Sequence, residues 1–374
     1  ASNHVKNDTD EVVYRNPLFL NNDSRLVTDK VVLAGISYLL SKIAQGIFFD
    51  CEKAAEDLSI CILRYPDRRQ FLINTLIQLR ERLEETKNPA TFDKVLILVL
   101  EIRGNEPFLL QFFKHPKADL ERFAPQAASR FSEHKESFPK VVKILSRIMH
   151  HELRFQKRET LFRQSCISSA LFRELGAIFC SKELNTLKGS IADALNEADP
   201  SLLCLDYNKV KEALRNKNPS FASLNASDQE PLIQAELASN AERFIPFARH
   251  LLSKIYAMKI SPAFSALLAM RRRQIISFVK KHPLKANEDP VLLSRSYISE
   301  VICLRILNPQ ILSIETSNKH LLQSLTKVVQ CLAKEEPFGI EKPDLIFEKL
   351  NPLFGEFLSQ HCQFIDRCSL LEGC

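Results

Sequence analysis

Glycine is scarce in this chain, with 8 residues in 374, where an ordinary soluble protein carries about 7%. Glycine supplies the positive-φ positions of tight turns, so folds built from many short turns, such as β-sandwiches and propellers, are disfavoured. Collagen-like and Gly-rich linker sequences are excluded outright. A doubly wound nucleotide-binding sheet needs a Gly-rich βα turn, and neither G-x-G-x-x-G nor G-x-x-x-x-G-K-[ST] occurs. Long helices are what remain. With 45% hydrophobic residues, the chain can bury a substantial core, and its length allows two or three domains.

Charge says less. The formal net charge of +6 is small beside 51 basic and 45 acidic residues, so an acidic partner is permitted but not required. The ten cysteines include no C-x-x-C pair, which removes zinc-ribbon and thioredoxin-like readings. They fall inside apolar helical patterns, as reduced, mostly buried thiols of a cytosolic protein do. The start, Ala1-Ser2-Asn3-His4, is polar and lacks an apolar signal region; it reads as the start of an excised or processed chain. No stretch of about 18 uncharged apolar residues is present to span a membrane. The expected location is cytoplasmic, with peripheral membrane attachment allowed.

Residues 1–27, rich in Asn and Asp, read as an N-terminal arm. Helical periodicity then begins with Val32, Ile36, Leu39, Leu40, Ile43 and Ile47 on one face. It returns with Leu72, Leu76, Leu79 and Leu83, which turns Arg80, Glu81, Arg82 and Glu84 outward. Asn88-Pro89 stops that helix. The apolar run Val95 to Leu100 reads as a buried helix. Further helices are predicted over 107–115, 118–131, 138–152, 165–180 and 182–197. Residues 199–232 carry Asp199-Pro200, Asn218-Pro219 and Asn225-Ala226-Ser227-Asp228, and read as a connection with at most a short helix near Val210–Leu214. Helices resume over 235–258, 262–282, 290–307, 318–334 and 343–366. No regular repeat appears. The class is all-α.

Most candidate chemistry dissolves on inspection. His150-His151-Glu152 lacks the second histidine of H-E-x-x-H, since residue 155 is Phe155, and reads as a surface-facing helix end. His361-Cys362 with Cys368 lacks neighbouring ligands and reads as structural. Cys166 has no base beside it. Arg271-Arg272-Arg273 with Lys280, Lys281, His282 and Lys285 is the strongest basic cluster: either a solvated helix face or a contact for a phosphate-rich or acidic partner, an anionic membrane surface among them. Phe278 is the only Phe, Tyr or Trp within it, so base stacking, and with it nucleic acid, is not indicated.

Three segments remain. The first is Glu159-Thr160-Leu161-Phe162-Arg163, preceded by Ile148-Met149-His150-His151-Glu152. The second is Cys303-Leu304-Arg305-Ile306-Leu307-Asn308-Pro309-Gln310-Ile311-Leu312. The third is Lys327-Val328-Val329-Gln330-Cys331-Leu332-Ala333, then Phe338-Gly339 and Asn351-Pro352. In that order they resemble the Ras GTPase-activating domain, the catalytic module of neurofibromin and its relatives. The resemblance covers roughly residues 145–365. It implies a helical catalytic core over 145–345, an extra helical region over 28–144, and a C-terminal helix within 346–374 that packs on the extra region.

The resemblance also implies roles. Phosphoryl transfer from GTP spreads negative charge over phosphate oxygens, and a planar, permanently charged guanidinium can meet several of them. Arg163 would be the arginine finger supplied in trans, with its carbonyl helping to orient the GTPase's glutamine. Leu161, Phe162, Gln164 and Ser165 would shape the finger loop against the GTPase. Arg305 would hold that loop, which is preorganisation. Leu304, Asn308, Gln330 and Lys334 would complete the binding face. The chain would need no cofactor of its own and would act on GTP and Mg²⁺ bound to a Ras-family small GTPase. It would thus be an activator without a hydrolase site. Three departures bear on partner choice: Cys303 stands where the family has Phe, Lys334 where it has Asn, and the connection over 215–240 is lengthened. Two rival readings stand beside this one. One is a non-catalytic scaffold or effector for GTP-loaded GTPases. The other is a helical binder of anionic lipid or nucleic acid.

Overall fold

The computed structural model describes residues 51–85, 89–116, 118–133, 138–155, 166–281, 289–340 and 345–369. The predicted arm and the helix from Val32 lie outside them. Every regular element among the described residues is helical. Contacts divide the chain into two compact units, with the division inside one helix, between Leu171 and Phe172.

The first unit contains α1 (Cys51–Arg64), α2 (Arg69–Glu85), α3 (Pro89–Glu101), α4 (Glu106–Phe112), α5 (Leu120–Ser132) and α6 (Phe138–Phe155). The apolar run Val95 to Leu100 is wholly buried within α3, which packs on α1, α2 and α5. Arg122 of α5 clamps Asp93 of α3 at 2.8 Å. Glu106, 1% exposed, accepts from Arg147 of α6 at 2.5 Å and from the Gly104 backbone at 2.8 Å. Of the residues expected on the outer face of α2, Arg80 turns inward. It continues the i, i+4 row of Leu72 and Leu76, is 4% exposed, and pairs with Asp119, the N-cap of α5, at 3.5 Å. Arg82, Glu84, Leu79 and Leu83 have side chains outside the described set.

The helix that carries the division is α7 (Ile167–Phe179). The second unit continues with α8 (Ser181–Glu197), α9 (Tyr207–Lys217), α10 (Ala226–Ala257), α11 (Pro262–Lys281) and α12 (Pro290–Ser299). A π-helical segment, Glu300–Leu307, comes next. Then come α13 (Asn308–Leu312), α14 (Lys319–Lys334), α15 (Leu345–Glu348) and α16 (Asn351–Ser369). The stretch expected to be a connection over 199–232 is more helical than predicted, because its polar residues act as caps. Asp206 accepts from Lys209 N–H to open α9, and Asn225 accepts from Asp228 N–H to open α10. The C-terminal helix α16 packs on α10, α11, α12 and α14 of its own unit.

Nine described cysteines are free thiols, five of them buried. Among the described residues no helix is long and apolar enough to cross a membrane.

One glycine controls a close approach. A Cβ on Gly176 of α7 would lie 2.4 Å from Ile306 Cδ1 and 2.8 Å from Phe264 Cζ. The π-helical segment and α11 therefore rest against bare backbone at this point. Gly176→Ala is expected to destabilise the chain by about 1–3 kcal/mol through overpacking, despite its gain of about 1 kcal/mol in helix propensity. Ile306→Val should recover part of the loss, as read by urea unfolding.

Candidate functional site

The second and third motif segments meet in the second unit. Proline at 309 has no N–H and crowds the carbonyl four residues earlier, which disfavours an ordinary α-helical turn at that point. The eight residues Glu300–Leu307 wind as a π-helix, and Asn308 N–H bonds to the Cys303 carbonyl, five residues back. Such wide turns are rare and concentrate at functional sites. Val301, Ile302, Cys303, Ile306 and Leu307 point into the core, while Leu304 and Arg305 sit side by side, half-buried, at its rim. Cys303 is fully buried, and burial pushes its thiol up to about 12.

A buried polar chain supports this segment from below. The Ser299 hydroxyl lies 2.7 Å from His361 Nε2, and His361 Nδ1 lies 3.2 Å from the Tyr256 hydroxyl. Burial, and then the Arg295 charge, lower His361 to about 4. Burial holds Tyr256 well above the ordinary phenol range. Both groups are therefore neutral near pH 7. One imidazole nitrogen donates and the other accepts, so a single ring ties α10, α12 and α16 together.

Helix α14 packs against the π-helical segment, α12 and α13. Leu321, Leu325, Val328 and Leu332 form its buried stripe. Gln323, Lys327, Gln330 and Lys334 fall at i, i+4, i+7 and i+11 and are all exposed. Asn308, 8% exposed, donates to the Thr326 carbonyl at 3.3 Å and locks α13 onto α14. Arg295 of α12 reaches Glu335, just past the end of α14, at 3.2 Å. Phe338 exchanges hydrogen bonds with Asn351, donating at 2.9 Å and accepting at 3.2 Å. Of the expected binding residues, Leu304, Arg305 and Asn308 thus lie on elements packed against the helix that carries Gln330 and Lys334.

Leu161, Phe162, Arg163, Gln164 and Ser165 are outside the described residues. The two helices that bracket them are joined in the first unit. Glu152 of α6, 3% exposed, accepts from Ser168 N–H at 3.0 Å and from the Ser168 hydroxyl. A carboxylate at the first turn of α7 meets free N–H groups and the positive end of the helix dipole. His150 is exposed, as expected for a surface-facing helix end, but Glu152 is not. The signal was present in the apolar row Val141, Ile144, Leu145, Ile148 and Met149, whose spacing runs on to residue 152.

The basic cluster is not a uniform outer face. Arg271 is fully buried, 4.7 Å above the Phe172 ring. Arg272, 7% exposed, pairs with Asp366 at 2.7 Å and donates to Ser369 at 2.9 Å. Arg273, Lys280 and Lys281 are exposed, and His282 and Lys285 lie outside the described residues. Among the described residues no three His, Cys, Asp or Glu side chains form a set able to hold a metal ion. Compared with known proteins, the chain matches no family model and no curated protein.

Glu152→Ala is expected to cost about 1–3 kcal/mol, since it strands donors that the carboxylate satisfies. Ser168→Ala should cost less in that background than alone, which a double-mutant cycle in urea will read. The His361 ring gives a pH signature. Its folded value of about 4 lies below the ordinary 6.5, so the unfolded chain takes up this proton first as pH falls. The stabilisation is full above pH 6.5, declines between 6.5 and 4, and levels off below, a span of roughly 3 kcal/mol. His361→Gln should remove this part of the slope in unfolding curves measured across that range.

Proposed function

We propose that the chain is a GTPase-activating domain for a Ras-family small GTPase, with a helical core of the Ras GTPase-activating kind. One observation carries this reading. Three motif segments occur in the family's order, and the last two lie against each other, with Leu304 and Arg305 at a π-helical rim beside the exposed Gln330 and Lys334. The missing Gly-rich phosphate loop fits, since the nucleotide would belong to the partner.

The reaction in this reading is hydrolysis of the partner's GTP at its own Mg²⁺. The chain adds Arg163, whose guanidinium neutralises charge on the phosphate oxygens as the bond to the leaving phosphate loosens. The resemblance gives Arg305 the task of steadying the segment that carries Arg163. Its half-buried root on a packed π-turn suits that work, because a guanidinium on a rigid base loses little entropy when it makes its bonds. Gln330 and Lys334 meet the GTPase surface. Cys303 and Lys334, which replace the family's Phe and Asn, tune the choice of partner.

The test is single-turnover GTP hydrolysis over a panel of Ras, Rap and related GTPases. At least one member should be accelerated, and Arg163→Ala should lose about 10³-fold or more of that acceleration. Arg305→Ala should lower the rate far more than the affinity. No acceleration on any member overturns the reading, and tight GTP-dependent binding without acceleration would turn it to a scaffold.

A further inference from the structure

A pocket of about 190 Å³ lies in the second unit between α9, α10 and the start of α14. Its inner wall is apolar: Cys204 and Val210 are 5% and 2% exposed, and Ala213 and Leu214 stand half-buried beside them. These residues border a small cluster of their own, in which Val210 and Cys204 pack with Phe221, Ile233 and Leu237. Asn240, fully buried, donates to the Cys204 carbonyl at 2.9 Å and so fixes the wall next to the opening. The wall is therefore built from groups already held in place.

The mouth is charged. Lys209 Nζ lies 3.0 Å from His320 Nδ1, a contact in which the ammonium donates to a neutral imidazole. Lys217 and Glu236 also line the pocket, and Asp199 lies within electrostatic reach of Lys217. The lining ammonium groups outnumber the lining carboxylate, and Lys209, held against the neutral His320, supplies the cationic end. The volume sets the size of a guest, since an apolar cavity of roughly 150 Å³ accepts benzene.

We propose that this pocket binds a compact organic monoanion, a carboxylate on an apolar body of about six carbons. The body fills the space against Val210, Ala213 and Leu214. The carboxylate takes its donated hydrogen bonds from Lys209, whose ammonium is held beside His320. His320 sits in the first turn of α14, the helix that carries Gln330 and Lys334, so a guest here would touch that helix directly. The proposal stands apart from the GTPase reading and does not depend on it.

Titration of the full chain with benzoate, benzyl alcohol and acetate, followed calorimetrically and by thermal unfolding, tests it. Benzoate should bind saturably at one site and raise the unfolding temperature. Benzyl alcohol, which lacks the charge, and acetate, which lacks the body, should bind weaker by roughly threefold or more, the scale of an exposed charge contact. Lys209→Met should bring benzoate down to the level of benzyl alcohol, and Ala213→Phe should block both. Lys209 is exposed, so its variant decides the matter even if Ala213→Phe fails to fold. No saturable benzoate binding, equal affinity for benzoate and benzyl alcohol, or benzoate affinity unchanged by Lys209→Met would each overturn the proposal.

Discussion

The second unit depends on polar groups that its last helix carries inward. Helix α16 buries Leu353, Phe357, Phe364 and Ile365, but also His361 and Ser369. A buried polar group is costly unless it is hydrogen-bonded, so each must be answered by a neighbour at the right height. Tyr256 on α10 and Ser299 on α12 answer His361. Arg272 on α11 answers Asp366 and Ser369. Apolar burial alone tolerates sliding along a helix; directional bonds do not. Three helices are thereby keyed to one register, and α12, so keyed, leads straight into the π-helical segment that presents Leu304 and Arg305.

The helical class was legible because its signals are periodic and additive. Few glycines, apolar rows at 3.6-residue spacing and proline stops all point the same way. The apolar stretch Val95 to Leu100 reads as buried helix and forms one. What escaped were positions where one side chain has two readings. Asn225 and Asp206 look like loop residues, yet they are the caps that open α10 and α9, because the same short polar side chain favours both. Arg80 and Arg272 look like surface charges. Their carboxylate partners, Asp119 and Asp366, are distant in sequence, so nothing local announces that the charge is answered inside.

The candidate site divides in the same way. The rim of Leu304 and Arg305 follows from Pro309 and the apolar residues around it, although a π-turn rather than an α-turn needed the structure to be seen. Gln330 and Lys334 share an exposed stripe that the spacing of α14 already implies. Glu152 was missed because its two histidine neighbours suggested an exposed helix end, while the apolar row beneath ran on to include it. His361 read as structural, but its pairing with Ser299 was beyond reach of the sequence, since a buried serine is unremarkable until its partner, 62 residues away, is known.

A π-helical segment is an α-helix that holds one residue more than its turns have room for. Between Glu300 and Leu307 that surplus residue sets the phase between α12 and α13. Removing one residue there would let ordinary α-helical turns form, and each residue of the segment would take a new angular place between α12 and α13. Which residues of the segment face the core and which face the rim would change. The position of Arg305 is thus stored as a count along the backbone, not in the chemistry of its neighbours. A change of length in this stretch is a different kind of event from a change of residue: it moves the whole rim at once, and no single substitution elsewhere restores it.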